Sequence, residues 1–276
     1  MTAFLKMHGL GNDFAVFDAR KQKIALDRAT ARALADRRFG IGCDQVIVIE
    51  PFAGRAHAGM RIYNADGGEV EQCGNAARCV ARLLMTELDR DRINLDTPGG
   101  LLVCSDAGRG DVTVDMGAPC LLWNEIPLAR QVDTNAFALD VDGKSYDVAA
   151  VSTGNPHCVL FVADAETAEV AALGLRIELH PMFPKRTNVE FVSVRDREHL
   201  RMRVWERGAG ITSACGTGAC ASAVAAHRRG LTGRKVEVML DGGPLAIELR
   251  EGDGHMLMTG PASLAFKGEI DLEAYV

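Results

Sequence analysis

The sequence predicts an α/β protein of the α+β kind: two pseudo-symmetric, duplicated domains, each a mixed β-sheet curled into a barrel around a central helix. Three observations predict it. The chain repeats itself once at a near-constant offset. Each half carries many short β-rich segments and one long helical one. The helix of the second half, Gly216-Thr-Gly-Ala-Cys-Ala-Ser-Ala-Val-Ala-Ala, has almost no polar face. A helix apolar all round is buried on every side, and among many strands that means a sheet wrapped around it.

The repeat emerges when the chain is slid along itself. At an offset of 142, Met60-Arg-Ile-Tyr-Asn falls on Met202-Arg-Val-Trp-Glu, Gly68 on Gly210, Cys73-Gly74 on Cys215-Gly216 and Ala77 on Ala219. At 143, Gly11-Asn12 falls on Gly154-Asn155, Asp44-Gln45-Val46 on Thr187-Asn188-Val189, Gly99-Gly100 on Gly242-Gly243 and Gly117 on Gly260. Ordered matches of this kind define two homologous domains, 1–117 and 118–261, and leave the tail 262–276 outside the repeat.

In the first half, strands are expected at Asp13–Phe17, Gln45–Glu50 and Met60–Asn64, then a Cys-Gly turn and a helix over 74–88. A meander follows at Ile93–Asp96, Leu101–Cys104 and Val112–Met116, separated by Gly, Pro and Asp turn signals. The second half repeats the plan: Glu190–Val194, Met202–Trp205, a helix over 216–229, then Val236–Leu240, Leu245–Leu249 and Met256–Met258. Gly230 is the expected stop of the second helix.

At 276 residues, 47% hydrophobic and 25% charged, the composition is that of a globular protein. The net charge of −6 argues against a nucleic-acid partner, which calls for a basic patch. No apolar stretch approaches bilayer length. Met1-Thr-Ala-Phe-Leu-Lys-Met-His lacks the apolar core and cleavage site of a signal peptide. The expectation is a cytoplasmic protein with no membrane contact.

Eight cysteines in a cytoplasmic chain are normally reduced, which disfavours a disulfide framework. There is no Cys-x-x-Cys and no accompanying His cluster, so metal and thiol-redox readings lack their ligand spacing. Only Cys73 and Cys215 match across the halves, each just before a helix, whereas Cys79 and Cys220 lie inward and read as core. A helix N-terminus favours thiolate, and its free N–H groups bind a carboxylate. Two such ends, meeting in the cleft between the domains, would bracket one carbon with a thiolate on one face and a thiol on the other. That suits inversion of a carbon next to a carboxylate.

Neutral polar residues stand at matched positions: Asn12, Gln45 and Asn64 in the first half, Asn155, Asn188 and Glu206 in the second. His157 and Arg207 break the symmetry, opposite Phe14 and Ala65. One extra Arg suits a second carboxylate, which its planar fork grips in bidentate fashion.

Four stretches carry a family resemblance: Met7-His-Gly-Leu-Gly-Asn-Asp-Phe, Tyr63-Asn-Ala-Asp-Gly-Gly-Glu-Val-Glu-Gln-Cys-Gly-Asn, Pro184-Lys-Arg-Thr-Asn-Val-Glu-Phe and Glu206-Arg-Gly-Ala-Gly-Ile-Thr-Ser-Ala-Cys-Gly-Thr-Gly. Together they resemble the diaminopimelate epimerases over essentially the whole chain. Ala76, where that family commonly has Gly, is a one-methyl departure.

The resemblance implies an epimerase without pyridoxal phosphate or metal. It would interconvert L,L- and meso-diaminopimelate on the way to lysine and peptidoglycan, and would work as a homodimer. It also implies that the tail 262–276 returns to the first domain. By position, Cys73 and Cys215 become the acid/base pair. Gly74, Asn75, Gly216 and Thr217 become the carboxylate cradle. Asn12, Asn64, Asn155, Asn188, Glu206 and Arg207 become binding residues, with Gln45, His157 and Glu206 setting the protonation of the thiols. A proline- or hydroxyproline-type racemase of the same superfamily is the alternative, although its substrates have one carboxylate and leave Arg207 with less to do.

Overall fold

The runs Phe14-Ala-Val-Phe and Val46-Ile-Val-Ile have no polar face, so strands made of them must be covered on both sides. In the computed structural model, which describes residues 1–24 and 26–275, both runs are buried throughout. The chain divides into two units, Met1–Asp115 with Thr259–Val276, and Met116–Met258.

The first unit begins with a hairpin, β1 (Thr2–Gly9) and β2 (Asn12–Asp18), followed by α1 (Arg28–Ala35), β3 (Gln45–Glu50), β4 (Ala58–Asn64) and a short β5 (Glu69–Val70). Then come α2 (Gly74–Leu88), β6 (Arg92–Thr97), β7 (Gly100–Gly108) and β8 (Asp111–Asp115). The sheet is mixed: β2–β3 and β4–β6 are parallel, and β1–β2, β3–β4, β6–β7 and β7–β8 antiparallel. Helix α2 packs on β1 and β2 from one end of this order and on β6, β7 and β8 from the other, so the sheet curls around it. Successive strand residues point to opposite faces. Ala15, Phe17, Val46 and Val48 form one cluster with Ala31 and Leu34 of α1, leaving Phe14, Val16, Ile47 and Ile49 for the opposite face.

The second unit repeats the plan with β9 (Phe137–Val141), β10 (Lys144–Ser152), β11 (Pro156–Phe161), α3 (Val170–Glu178), β12 (Asn188–Val194) and β13 (His199–Glu206). It continues through β14 (Gly210–Ile211), α4 (Gly216–Arg228), β15 (Lys235–Leu240), β16 (Gly243–Leu249) and β17 (Met256–Pro261). β11–β12 and β13–β15 are parallel, where the first unit has β2–β3 and β4–β6. Helix α4 is enclosed by β10, β11, β12, β13, β15 and β16, while α3 lies on β12, β13 and β14, as α1 lies on β3 and β4. The apolar α4 is buried from Ala219 to Ala226. It ends where Gly230 takes a φ of 70°, the left-handed stop the sequence predicts.

The tail forms β18 (Ser263–Ile270), antiparallel to β1 within the first unit. The repeat reading did not reach β1, α1, β9–β11, α3 or β18. For β1 the cause is Lys6, which breaks the apolar alternation yet is buried, its ammonium 2.6 Å from Asp13. Among the described residues no helix is long and apolar enough to cross a membrane.

Candidate active site

Cys73 and Cys215 are the N-caps of α2 and α4, both in extended backbone: φ −145°, ψ 109° for Cys73 and φ −124°, ψ 107° for Cys215. The first intrahelical bonds run from Ala77 N to Cys73 O (2.9 Å) and from Ala219 N to Cys215 O (3.0 Å). The N–H groups of Gly74, Asn75, Gly216 and Thr217 therefore precede the helical ladder and have no partner within it. Each helix end is an anion cradle with a sulfur at its rim.

In the first unit, Leu10 and Gly11 turn the β1–β2 hairpin with φ of 56° and 84°, the two left-handed residues of a type I′ turn, and deliver Asn12. The Asn12 carbonyl accepts from Asn75 Nδ2 at 3.1 Å and faces the Cys73 sulfur at 3.9 Å. Its Nδ2 donates to Asp44 at 3.0 Å. Beneath them lies Arg78, 0% exposed, whose Nη2 donates to the Asn75 carbonyl at 2.9 Å and whose Nε donates to the Pro261 carbonyl at 3.2 Å. A Cβ on Gly9 would sit 2.9 Å from that Nη2, so only glycine leaves room for the guanidinium. Gln45 and Asn64 face each other across β3 and β4, with Gln45 Nε2 donating to Asn64 at 2.9 Å. Cys73 itself is half-buried.

In the second unit, the Cys215 thiol is 4% exposed; its sulfur accepts from Gly218 N at 3.4 Å and lies 3.5 Å from Thr217 Oγ1. Burial, then the carboxylates of Glu206 and Glu190, push it well above the ordinary thiol range. This corrects one expectation. A helix N-terminus alone favours thiolate, but at Cys215 desolvation and two nearby negative charges win. Burial also pushes the Glu206 carboxyl up, against the hydrogen bonds it takes from Thr212 and Cys215. His157 is 0% exposed between two partners, Nδ1 2.6 Å from Glu190 Oε1 and Nε2 2.7 Å from Asn155 Oδ1. Asn188 donates to the Pro156 carbonyl at 3.1 Å and accepts from the backbone N of Arg207 at 2.9 Å. The exposed Arg207 side chain reaches the Lys185 carbonyl at 3.2 Å.

The structure thus gathers Asn12 and Asn75 beside Cys73, and Thr217 and Glu206 beside Cys215. Gln45 pairs with Asn64 rather than with a thiol. Asn188 spends its amide on the backbone under Arg207. Sequence reasoning missed Glu190 and Arg78. The offset of 143 that aligns Phe14 with His157 also aligns Ile47 with Glu190, and an acid opposite a core isoleucine was the available signal. Cys43, Cys79, Cys104 and Cys158 are kept protonated by the same physics: burial pushes Cys43 to about 11, Cys79 and Cys104 to about 12, and Cys158 well above the ordinary thiol range. Among the described residues, no three or more His, Cys, Asp or Glu side chains are grouped to hold a metal ion.

Comparison with known proteins adds the following. A family model described as "Diaminopimelate epimerase" matches residues 4–122 and 149–265. A protein of that name from Rhodospirillum centenum is 53% identical over 97% of this chain and 91% of its own length. One from Phenylobacterium zucineum is 53% identical over 97% of each chain. Among solved structures, a hydroxyproline epimerase from Agrobacterium vitis superposes with a TM-score of 0.69 at 18% identity, covering 97% of this chain and 91% of that one. At that identity the likeness speaks for the fold alone.

Proposed function

This chain belongs to the diaminopimelate epimerase family, and from that premise we propose that Cys73 and Cys215 are the acid and base of a stereoinversion at one α-carbon. The enzyme is an isomerase of lysine biosynthesis, interconverting L,L- and meso-diaminopimelate. One observation carries the mechanistic reading. Of the eight cysteines, only these two recur in both halves, and each caps a helix whose first two N–H groups precede the helical ladder.

The Cys73 thiolate removes the α-proton, and the electron pair passes into the α-carboxylate, held by N–H groups of Gly74, Asn75, Gly216 and Thr217. Hydrogen bonds to the developing charge are the largest source of stabilisation in such a step. The Cys215 thiol, kept protonated by its surroundings, returns a proton on the opposite face. The reverse reaction exchanges the roles. No cofactor enters this scheme. Asn12, Asn64, Asn155, Asn188 and Glu206 bind the remaining polar groups, and the guanidinium of Arg207 takes the distal carboxylate. His157 and Glu206 govern the protonation of the thiols, while Gln45, bonded to Asn64, orients that binding amide. The family resemblance extends the proposal to a homodimer working in the cytoplasm.

The test is isotopic. In D₂O at a few per cent conversion of L,L-diaminopimelate, the product should carry deuterium at the inverted carbon while recovered substrate stays protonated, by NMR or mass spectrometry. Early product that retains mostly substrate hydrogen overturns the two-thiol assignment. Cys73→Ala and Cys215→Ala should each lower kcat by about a thousandfold or more. Proline and hydroxyproline, with a single carboxylate, should not turn over.

A further inference from the structure

The duplication supplies its own control for the buried histidine. In the parallel pairing of β2 with β3, Phe14 stands opposite Gln45; in that of β11 with β12, His157 stands opposite Asn188. Two residues further along β3 and β12 lie Ile47 and Glu190. Phe14, Ile47 and His157 are each 0% exposed, and so is Glu190. The fold therefore closes this place in its first copy with two apolar side chains. In the second copy it buries an imidazole and a carboxylate, and among the described residues Glu190 Oε2 has no hydrogen-bond partner. Burying ionisable groups costs more than burying hydrocarbon of similar size. Stability does not account for the substitution, so its cause lies in the chemistry of the second copy.

The geometry indicates that cause. With Glu190 as a carboxylate, which can only accept, its oxygen 2.6 Å from Nδ1 places a hydrogen on that nitrogen. With Nδ1–H fixed, Nε2 is the ring nitrogen left to vary its hydrogen bond. That nitrogen faces Asn155, whose amide can present its oxygen to a protonated Nε2, as in this structure, or its nitrogen to a bare one. The carboxylate also sits against the start of α4. A Cβ on Gly218 would be 2.8 Å from Glu190 Oε1 and 3.3 Å from the Cys215 sulfur. Glu190 thus lies one glycine away from the thiol.

We propose that Glu190 is a positioning residue of the epimerisation: its carboxylate pins His157 with the hydrogen on Nδ1 and so fixes the ring with Nε2 hydrogen-bonded to Asn155. This rests on the reading that the second helix end is half of the catalytic site. Carboxylates that orient metal-bound histidines in this way are worth about 10- to 100-fold in activity, which sets the scale expected of Glu190.

The experiment uses the full-length protein and two variants. In Glu190→Gln, kcat for diaminopimelate should fall about tenfold or more with KM nearly unchanged. In the substrate-free protein, ¹⁵N NMR of His157 should show Nδ1 fully protonated in the native protein and only partly so in the variant. A kcat within twofold of the native enzyme, or an unchanged tautomer, overturns the proposal. The double variant His157→Phe with Glu190→Ile copies the first unit. It should fold at least as stably, by thermal melting, yet lose activity to at least the same extent; retained activity overturns the proposal too. Native protein inactive on diaminopimelate would instead refute the functional reading, while the tautomer measurement, which needs no substrate, still tests Glu190.

Discussion

The two helix ends share a backbone and differ in charge. Both cysteines cap their helices in the same extended conformation. Around Cys73 the fold places neutral amides, Asn12 and Asn75, over a buried guanidinium, Arg78. Around Cys215 it places Glu206 and Glu190, and the thiol is buried. The residue matching Arg78 is Cys220; those matching Glu190 and Glu206 are Ile47 and Asn64. Cation and anion have thus been added to opposite copies of one frame. A two-base reaction needs one thiolate and one thiol at a time, and a difference in charge around the two sulfurs biases which is which. Duplication supplied the geometry, and divergence of a few buried side chains supplied the difference in charge around the two sulfurs.

The largest effect should be in thiol reactivity. A thiol whose pKa lies above 9 has less than about 1% thiolate at pH 7, so labelling of Cys215 by iodoacetamide should be at least about a hundredfold slower than that of an unperturbed thiolate. Cys73, half-buried where Cys215 is buried, should label first. The Cys215 rate should keep climbing above pH 9, because deprotonation is what limits it. Glu206→Gln should accelerate it by removing one negative charge without opening the site. Equal labelling of both cysteines at pH 7, quantified by peptide mass spectrometry, breaks the comparison.

How much of this was legible in the sequence follows from the same residues. Cys73 and Cys215 could be read because a repeat turns one ambiguous cysteine into two at matched positions. The apolar α4 betrayed its burial, and with it the curl of the sheet. Arg78 could not be read. In Gly74-Asn-Ala-Ala-Arg-Cys-Val an arginine looks like a solvated helix position, and its burial depends on Gly9 and Pro261, far away in the chain. Lys6 hides β1 for the same reason: its partner Asp13 meets it only once the hairpin has closed. Burial of a charge is a tertiary fact, and local pattern carries no trace of it.

Arg78 offers the next largest test. Arg78→Met keeps most of the volume and removes the donors to the carbonyls of Asn75 and Pro261. Hydrogen bonds from a charged group are worth roughly 1.5–3 kcal/mol each, and an orphaned acceptor costs more than a replaced one. The variant should lose about 3 kcal/mol in urea unfolding. Its kcat should fall as well, because Asn75 orients the Asn12 carbonyl that faces Cys73. Cys220→Ala, at the matching position, should cost only about 1 kcal/mol, the burial of one small group. Similar losses in the two variants would mean that the buried cation is not what distinguishes the first helix end.

The smallest effect concerns how each copy anchors the strand beside its Asn. In the first unit the residue after Asn12 is Asp13; in the second the residue after Asn155 is Pro156, which has no charge to titrate. The Asp13 carboxyl lies 2.6 Å from Lys6 Nζ and 2.7 Å from Arg37 Nη2. Burial pushes its pKa up, but the bonds from Arg37, Lys6 and the Asp44 backbone outweigh that and bring it from 3.8 down to about 2. A carboxyl depressed on folding adds stability that is fully present above its unfolded pKa and disappears as pH falls through the folded one. The window is therefore from about pH 4 down to about pH 2. A shift of this size corresponds to about 2 kcal/mol, which solvent screening of the partly exposed partners reduces to about 1 kcal/mol. Asp13→Asn should accordingly be about 1 kcal/mol less stable than the native protein at pH 7. The gap should narrow steadily below pH 4, since acid neutralises the native carboxyl and the variant has none to lose. Thermal melting of both proteins between pH 7 and pH 3 measures it. A gap that stays constant, or widens in acid, would show that the Lys6–Asp13–Arg37 cluster does not hold the first hairpin through its charge.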